Sequence, residues 1–188
     1  MRILFNRLDS NLQKKLQHVS LIALDFDGVL TNNKVVHSQN HNESVVRSRA
    51  DSLAIDLLDR AGLYSKDNYK RLDHLLDIVI LSSETNPIVE SVSEKIRIKC
   101  QRAVYKKLEV LKEEVKSRKI DFKNVLFIGN DINDIECIEA AEIGVAVADS
   151  FPQVTKVADY ITSRRGGEGA FREVCELIMY AKKVHPFP

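Results

Sequence analysis

The stretch Val19-Ser20-Leu21-Ile22-Ala23-Leu24-Asp25-Phe26-Asp27-Gly28-Val29-Leu30-Thr31 decides the fold. Its first six residues form an apolar run with the length and bounds of a fully buried strand. Two carboxylates one residue apart follow where that strand must stop, and a glycine comes directly after. Strand alternation sends neighbouring side chains to opposite faces, so Asp25 and Asp27 project the same way. Two anions held together repel unless a cation or a shared proton offsets them. A plain Asp/Gly turn is the competing reading, and Asp-x-Asp alone would favour it. The end of a buried strand, with Gly-Val-Leu-Thr next, favours chemistry.

Working outward, Leu8, Leu12, Leu16 and Val19 recur at helical spacing and predict a short amphipathic helix before the first strand. Lys34–His37 and Ser44–Arg47 flank the turn-rich segment Ser38–Glu43 and read as a β-hairpin. Asp51 is expected to cap a helix carrying Leu53, Ile55, Leu57 and Leu58 as far as Gly62. Tyr64 to Asp77 is polar, either a surface insertion or an irregular extension of that helix. A second strand, Ile78–Leu81, ends in Ser82-Ser83, and a helix follows from Pro87 to Lys95. A short strand lies around Ile96–Cys100, then a charged helix over Lys107–Arg118, then a buried strand over Asn124–Gly129. Ile132–Ala141 reads as helix, Val145–Ala148 as strand, Tyr160–Thr162 as an edge strand and Ala170–Lys183 as a closing helix. Alternating strands and helices mean a doubly wound α/β fold, a parallel sheet with helices on both faces. Ligand sites of such sheets lie at the carboxyl ends of strands, where the strand order reverses.

The 188 residues fit one domain with a substantial core. Lys+Arg 28 against Asp+Glu 27 leaves no global field that would draw nucleic acid or an anionic membrane. No apolar stretch approaches the roughly 20 residues of a membrane span, and the N-terminal apolar run is too short for a signal peptide. Cys100, Cys137 and Cys175 are odd in number and widely spaced, which suits thiols in a reducing cytoplasm.

The octapeptide Leu24–Thr31 closely resembles the nucleophile motif of the haloacid dehalogenase (HAD) phosphohydrolase superfamily. Three later motifs extend the resemblance. Ser82, after the second strand, matches the hydroxyl that hydrogen-bonds the transferring phosphoryl group. Lys107, 17 positions before Asn124, matches the family lysine, with Lys106 a near-equal competitor. Gly129-Asn130-Asp131-Ile132-Asn133-Asp134 resembles Gly-Asp-x-x-x-Asp, with Asn130 where the third protein ligand to magnesium is normally acidic. An amide oxygen still coordinates Mg²⁺, with weaker attraction for want of charge. Asp131 is the alternative ligand, or faces substrate. Gly144–Asp149 and Gly166-Gly167-Glu168-Gly169-Ala170-Phe171-Arg172-Glu173 narrow the resemblance to the branch of 2-keto-3-deoxy sugar acid phosphate phosphatases. That branch also includes the phosphatase-like module of some CMP-sialic acid synthetases. Its members lack a large cap and cover their sites by packing hairpins in a tetramer. Two departures concern substrate: Ser83-Glu84 stand where the branch has Gly-Arg, and Ala50–Ile55 retains Asp51 but loses an Arg and two glycines.

The resemblance implies a capless, Mg²⁺-dependent phosphomonoesterase spanning 1–188, with a hairpin flap at about 32–48. Asp25 is the expected nucleophile and Asp27 the general acid and base. Ser82 and Lys107 are expected to stabilise the phosphoryl oxygens. Asp25, Asp27 and Asn130 would hold the metal, and Asp51, Ser83 and Asp131 would meet a phosphorylated sugar acid. The expected assembly is a cytoplasmic homotetramer with no nucleic-acid or membrane partner. The rival from another class is a catalytically silent HAD-like assembly module, which Asn130 and Glu84 favour. A phospho-aspartate receiver domain fits poorly, because its phosphorylated Asp comes later in the chain.

Overall fold

The computed structural model describes residues 1–40, 42–71 and 75–187. In chain order the elements are α1 (Arg2–Arg7), α2 (Ser10–His18), β1 (Leu21–Leu24), β2 (Thr31–His37), β3 (Glu43–Arg47), α3 (Arg49–Arg60) and β4 (Asp77–Leu81). There follow α4 (Ile88–Ile96), β5 (Lys99–Gln101), α5 (Lys107–Arg118), β6 (Val125–Gly129) and α6 (Ile135–Ala140). The chain closes with β7 (Ile143–Ala146), α7 (Pro152–Thr155), β8 (Tyr160–Ile161) and α8 (Ala170–Ala181). Two expected segments, the Ser38–Glu43 turn and the polar stretch Tyr64–Asp77, include His41 and Leu72–His74, which lie outside the described residues.

Six strands form one sheet in the order β5-β4-β1-β6-β7-β8, and every pairing is parallel. The doubly wound fold read from the sequence is therefore present. Alternation along β1 divides the core. Ile22 and Leu24 join the layer under α2, α3, α4 and α8, while Leu21 and Ala23 join the layer under α5, α6 and α7. All four side chains are fully buried, so this strand reads as an unbroken apolar run. The chain leaves β1 for β4 and β5 on one side, then returns to β6 on the other. The order thus reverses beside β1, and the carboxyl ends of β1, β4 and β6 meet there.

The hairpin β2–β3 stands apart from the main sheet, with Val35 opposite Val45. Val35, Val36 and Val46 are 45%, 59% and 55% exposed. Among the described residues no helix is long and apolar enough to cross a membrane.

Several boundaries differ from the sequence expectation; the strand expected around Ile96–Cys100 is Lys99–Gln101, because Ile96 still belongs to α4 and packs in the core. The N-cap of α3 is Ser48, whose hydroxyl accepts from the Ala50 amide, while Asp51 lies inside the first turn. The strand expected at Val145–Ala148 begins two residues earlier, at Ile143. An unbroken apolar run gives no internal boundary, and the register Leu126↔Ile143 to Gly129↔Ala146 ends where β6 ends. Finally, the helix expected over Ile132–Ala141 opens with a 3₁₀ turn, Ile132–Asp134, held by a capping box between Asp131 and Asp134.

Candidate active site

Each strand end at the switch point supplies side chains to one cleft of about 370 Å³, whose lining includes Asp25, Asp27, Ser82, Ser83 and Glu84. Asp25 follows β1 directly, Ser82 follows β4, and Asn130 follows β6. Asp25 is 6% exposed, and its Oδ1 accepts from the Phe26 amide at 2.7 Å and lies 2.8 Å from Lys107 Nζ. Among the described residues its Oδ2 has no partner, so one carboxylate oxygen is anchored and the other is left for a ligand.

Lys107 opens α5 and reaches the site from the flanking layer. Its Nζ also lies 2.7 Å from Asp134 Oδ1, so one buried ammonium bridges two buried carboxylates. Burial alone would lower the Lys107 pKa, but Asp25 and Asp134 outweigh it and the value is raised. Burial pushes the Asp25 carboxyl up to about 7; Asp134 adds to the rise and Lys107 opposes it. The competitor Lys106 points elsewhere, to an exposed ion pair with Glu109.

Asp27 is half-buried and accepts from the Thr31 hydroxyl at 3.2 Å. Its pKa is raised chiefly by burial, with the charges of Glu84 and Glu43 adding to the effect. The Ser82 hydroxyl accepts from the Glu84 amide, and Ser83 accepts from Asn133 Nδ2 across the cleft at 3.2 Å. That bond ties the loop after β4 to the loop after β6.

Asn130 is 5% exposed, and its Oδ1 is a buried carbonyl oxygen with no hydrogen-bond partner. Leaving such an acceptor unmet costs about 1–3 kcal/mol, which a cation would offset. Its amide packs on Gly28, where a Cβ would come within 2.1 Å of Nδ2 and where φ is +79°. Only glycine fits both the left-handed backbone and the contact. A hard cation takes oxygen ligands, and here they would be the Asp25 carboxylate, the Asp27 backbone carbonyl and Asn130 Oδ1. These donors fit such an ion. Among the described residues no group of three or more His, Cys, Asp or Glu converges to hold a metal, and the donors named here include an amide and a backbone carbonyl.

Asp131 turns its Oδ1 to the Ile132 amide at 2.7 Å and caps its own loop. Asp51 is absent from the cleft lining: its two oxygens accept from the Gly169 amide at 3.2 Å and the Arg172 amide at 3.0 Å. In this chain it joins α3 to the start of α8. The residue that sequence reading passed over is Asp134. It is fully buried, pairs with Lys107, and its Oδ2 accepts from the Asn130 and Asp131 amides at 2.9 and 3.3 Å. It therefore fixes both the lysine and the loop that carries Asn130. Its place as the last acid of Gly129–Asp134 was the available signal.

The glycines of the Gly166–Glu173 segment brace this site from outside. The Gly167 amide donates to Val29 O at 2.9 Å, and a Cβ on Gly166 would come within 1.8 Å of Gly28 O. Backbone is packed against backbone behind the loop that follows Asp25.

A sheet with an acid-bearing strand end at its switch point, a buried lysine and an Asx-rich loop defines a class. A family model described as haloacid dehalogenase-like hydrolase matches residues 14–172, and the chain belongs to that family. Among individual relatives, the 3-deoxy-D-manno-octulosonate 8-phosphate phosphatase KdsC of Salmonella typhi is 27% identical over 179 residues, covering 95% of this chain and 88% of that protein. The crystal structure of the corresponding phosphatase from Moraxella catarrhalis, in complex with magnesium ion, phosphate ion and KDO, superposes with a TM-score of 0.83 at 26% identity. It covers 94% of both chains. The cobalt-bound enzyme from Haemophilus influenzae gives 0.78 at 25% identity, over 90% of this chain and 92% of that one.

Proposed function

We propose that this hydrolase is a Mg²⁺-dependent phosphomonoesterase acting in the cytoplasm on a 2-keto-3-deoxy sugar acid phosphate. The observation that carries the reading is the Asp25 carboxylate, with Oδ1 anchored by Phe26 and Lys107 and Oδ2 free at the cleft. Oδ2 attacks phosphorus in line, the P–O bond to the sugar breaks, and an aspartyl phosphate remains on Asp25. Asp27, whose raised pKa suits proton donation, gives a proton to the departing sugar oxygen and then takes one from the water that hydrolyses the acyl phosphate. Lys107 and the Ser82 hydroxyl stabilise the phosphoryl oxygens as charge redistributes. Asp25, the Asp27 carbonyl and Asn130 would hold Mg²⁺, which would supply the positive charge that lets a carboxylate approach a phosphate. The Asp51, Ser83 and Asp131 roles in substrate contact rest on resemblance. Of these three, Ser83 lines the cleft.

The exposed valines of the hairpin support a homotetramer in which hairpins of several copies bury one another and cover the clefts. A silent assembly module is the second reading, favoured by the uncharged Asn130. Phosphate release from a panel of sugar acid phosphates, with and without Mg²⁺, separates the two. Wild type should turn over only with metal, and Asp25→Asn should lose several orders of magnitude, because an amide cannot form the acyl phosphate. Equal release by the variant would overturn the nucleophile assignment, and no release by wild type would favour the silent module.

A further inference from the structure

The turn that follows β7 meets both halves of the candidate metal site from behind. The Val147 amide and the Ser150 hydroxyl each donate to Gly129 O at 3.3 Å, and the Phe151 amide donates to Asn130 O at 3.0 Å. These three bonds hold the loop that carries Asn130. In the same turn stands Asp149, whose Oδ1 accepts from the Gly166 amide at 2.9 Å. Asp149 is exposed, lines no part of the cleft, and makes this one side-chain hydrogen bond among the described residues.

The residue it grips backs the loop after β1. A Cβ on Gly166 would come within 1.8 Å of Gly28 O and 3.2 Å of Thr31 O, so the two backbones are seated directly on each other. The Thr31 hydroxyl accepts from the Gly28 amide and donates to Asp27 Oδ1, both at 3.2 Å, which ties Asp27 into the same stack. Gly28 in turn leaves no room for a Cβ beside the Asn130 side-chain amide. Among the described residues that amide makes no hydrogen bond of its own, so packing on Gly28 sets its direction. The contacts close into a ring: Asn130, Gly28, Gly166, Asp149 and, through Ser150 and Phe151, Asn130 again. Two of the three expected metal donors, the Asp27 carbonyl and Asn130 Oδ1, belong to that ring.

We infer that Asp149 is a positioning residue for the metal site: it locks Gly166 against Gly28 and so holds the Asp27 carbonyl and the Asn130 amide at a fixed separation. The inference rests on the phosphomonoesterase reading, which supplies the metal, and places part of its machinery outside the cleft. Every contact in the ring lies within one chain, so it holds however other copies pack over the cleft. Asp149 acts through a single bond from a backbone amide, and what the ring needs from it is an acceptor oxygen.

Calorimetric titration of Mg²⁺ into the full chain reads the ring without turnover. Asp149→Ala removes the acceptor for Gly166 and should weaken Mg²⁺ binding about 10–100-fold, the usual loss when a group that orients metal ligands is removed. Asp149→Asn keeps an acceptor oxygen and should bind Mg²⁺ close to wild type. The urea midpoints of all three proteins should agree, because the side chain exchanged is on the surface. A folded Asp149→Ala with wild-type Mg²⁺ affinity overturns the inference and leaves the hydrolase reading intact. So does an Asp149→Asn variant as weak as Asp149→Ala, which would make charge the cause in place of the hydrogen bond. A urea midpoint that drops along with the affinity also overturns it, since Asp149 would then serve the fold alone. No Mg²⁺ binding by wild type overturns the metal reading itself, and the inference with it.

Discussion

Replacing Lys107 by Met tests the bridge on which the site is built. Nζ lies 2.8 Å from Asp25 and 2.7 Å from Asp134, with the lysine side chain 1% exposed. At an effective dielectric of about 20, each contact is worth roughly 6 kcal/mol of attraction. Desolvating the three charges cancels much of that, and removing one member of such a buried set costs about 3–5 kcal/mol. Methionine matches most of the stem, so the loss is chiefly electrostatic: two buried carboxylates face each other unoffset. Asp134→Asn supplies the control. Alone it turns an amide toward the ammonium, but combined with Lys107→Met it removes one of the stranded charges. Chemical denaturation of the two single variants and the double should therefore be non-additive, the double variant being more stable than the sum predicts by about 2 kcal/mol. Turnover of Lys107→Met should fall about 10²–10³-fold if the ammonium also meets the phosphoryl oxygens. A cost below about 1 kcal/mol for Lys107→Met, or strict additivity, would refute the bridge as the source of stability.

Asn130→Asp should tighten Mg²⁺ binding, measured by calorimetry, and leave turnover equal or higher; unchanged affinity would mean that this position does not hold the metal. Asp51 has a folded pKa raised from 3.8 to about 6 by burial, against which the Arg172 and Gly169 amides pull. The folded state thus binds the proton more tightly, so the cost of its buried charge is present in full above pH 6 and is relieved as pH falls toward 3.8, by at most about 3 kcal/mol. Compared with Asp51→Asn in urea melts, wild type should gain about 1–2 kcal/mol between about pH 7 and pH 4.5, and a flat difference would count against it. Placing Lys at both Val36 and Val46 should leave the fold intact and reduce the particle mass seen by light scattering at micromolar concentration, and a wild-type monomer would refute the tetramer.

The parallel sheet was legible because β1, β4 and β6 are buried on both faces and their apolar runs end at residues that cannot stay apolar: Asp25, Ser82 and Asn130. Lys107 was legible only through its spacing to the strand after it, since a lysine in a charged helix carries no sign of burial. Asp134 escaped because its function is to hold other groups, which depends on a contact 27 residues away. Asp51 read as a helix cap because its residue type favours caps; the bonds that hold it come from Gly169 and Arg172, far along the chain. Strand edges within uniform apolar runs depend on the neighbouring strand, as β7 shows against β6.

The Gly166–Gly167 brace behind Gly28 has a consequence for the order in which the protein matures. The loop after β1 is among the first parts of the sheet to be synthesised, yet its backing arrives with residues made near the end. The surroundings of Asp25 are therefore complete only once translation has passed residue 167, and a truncated chain that holds all four motifs still lacks this brace.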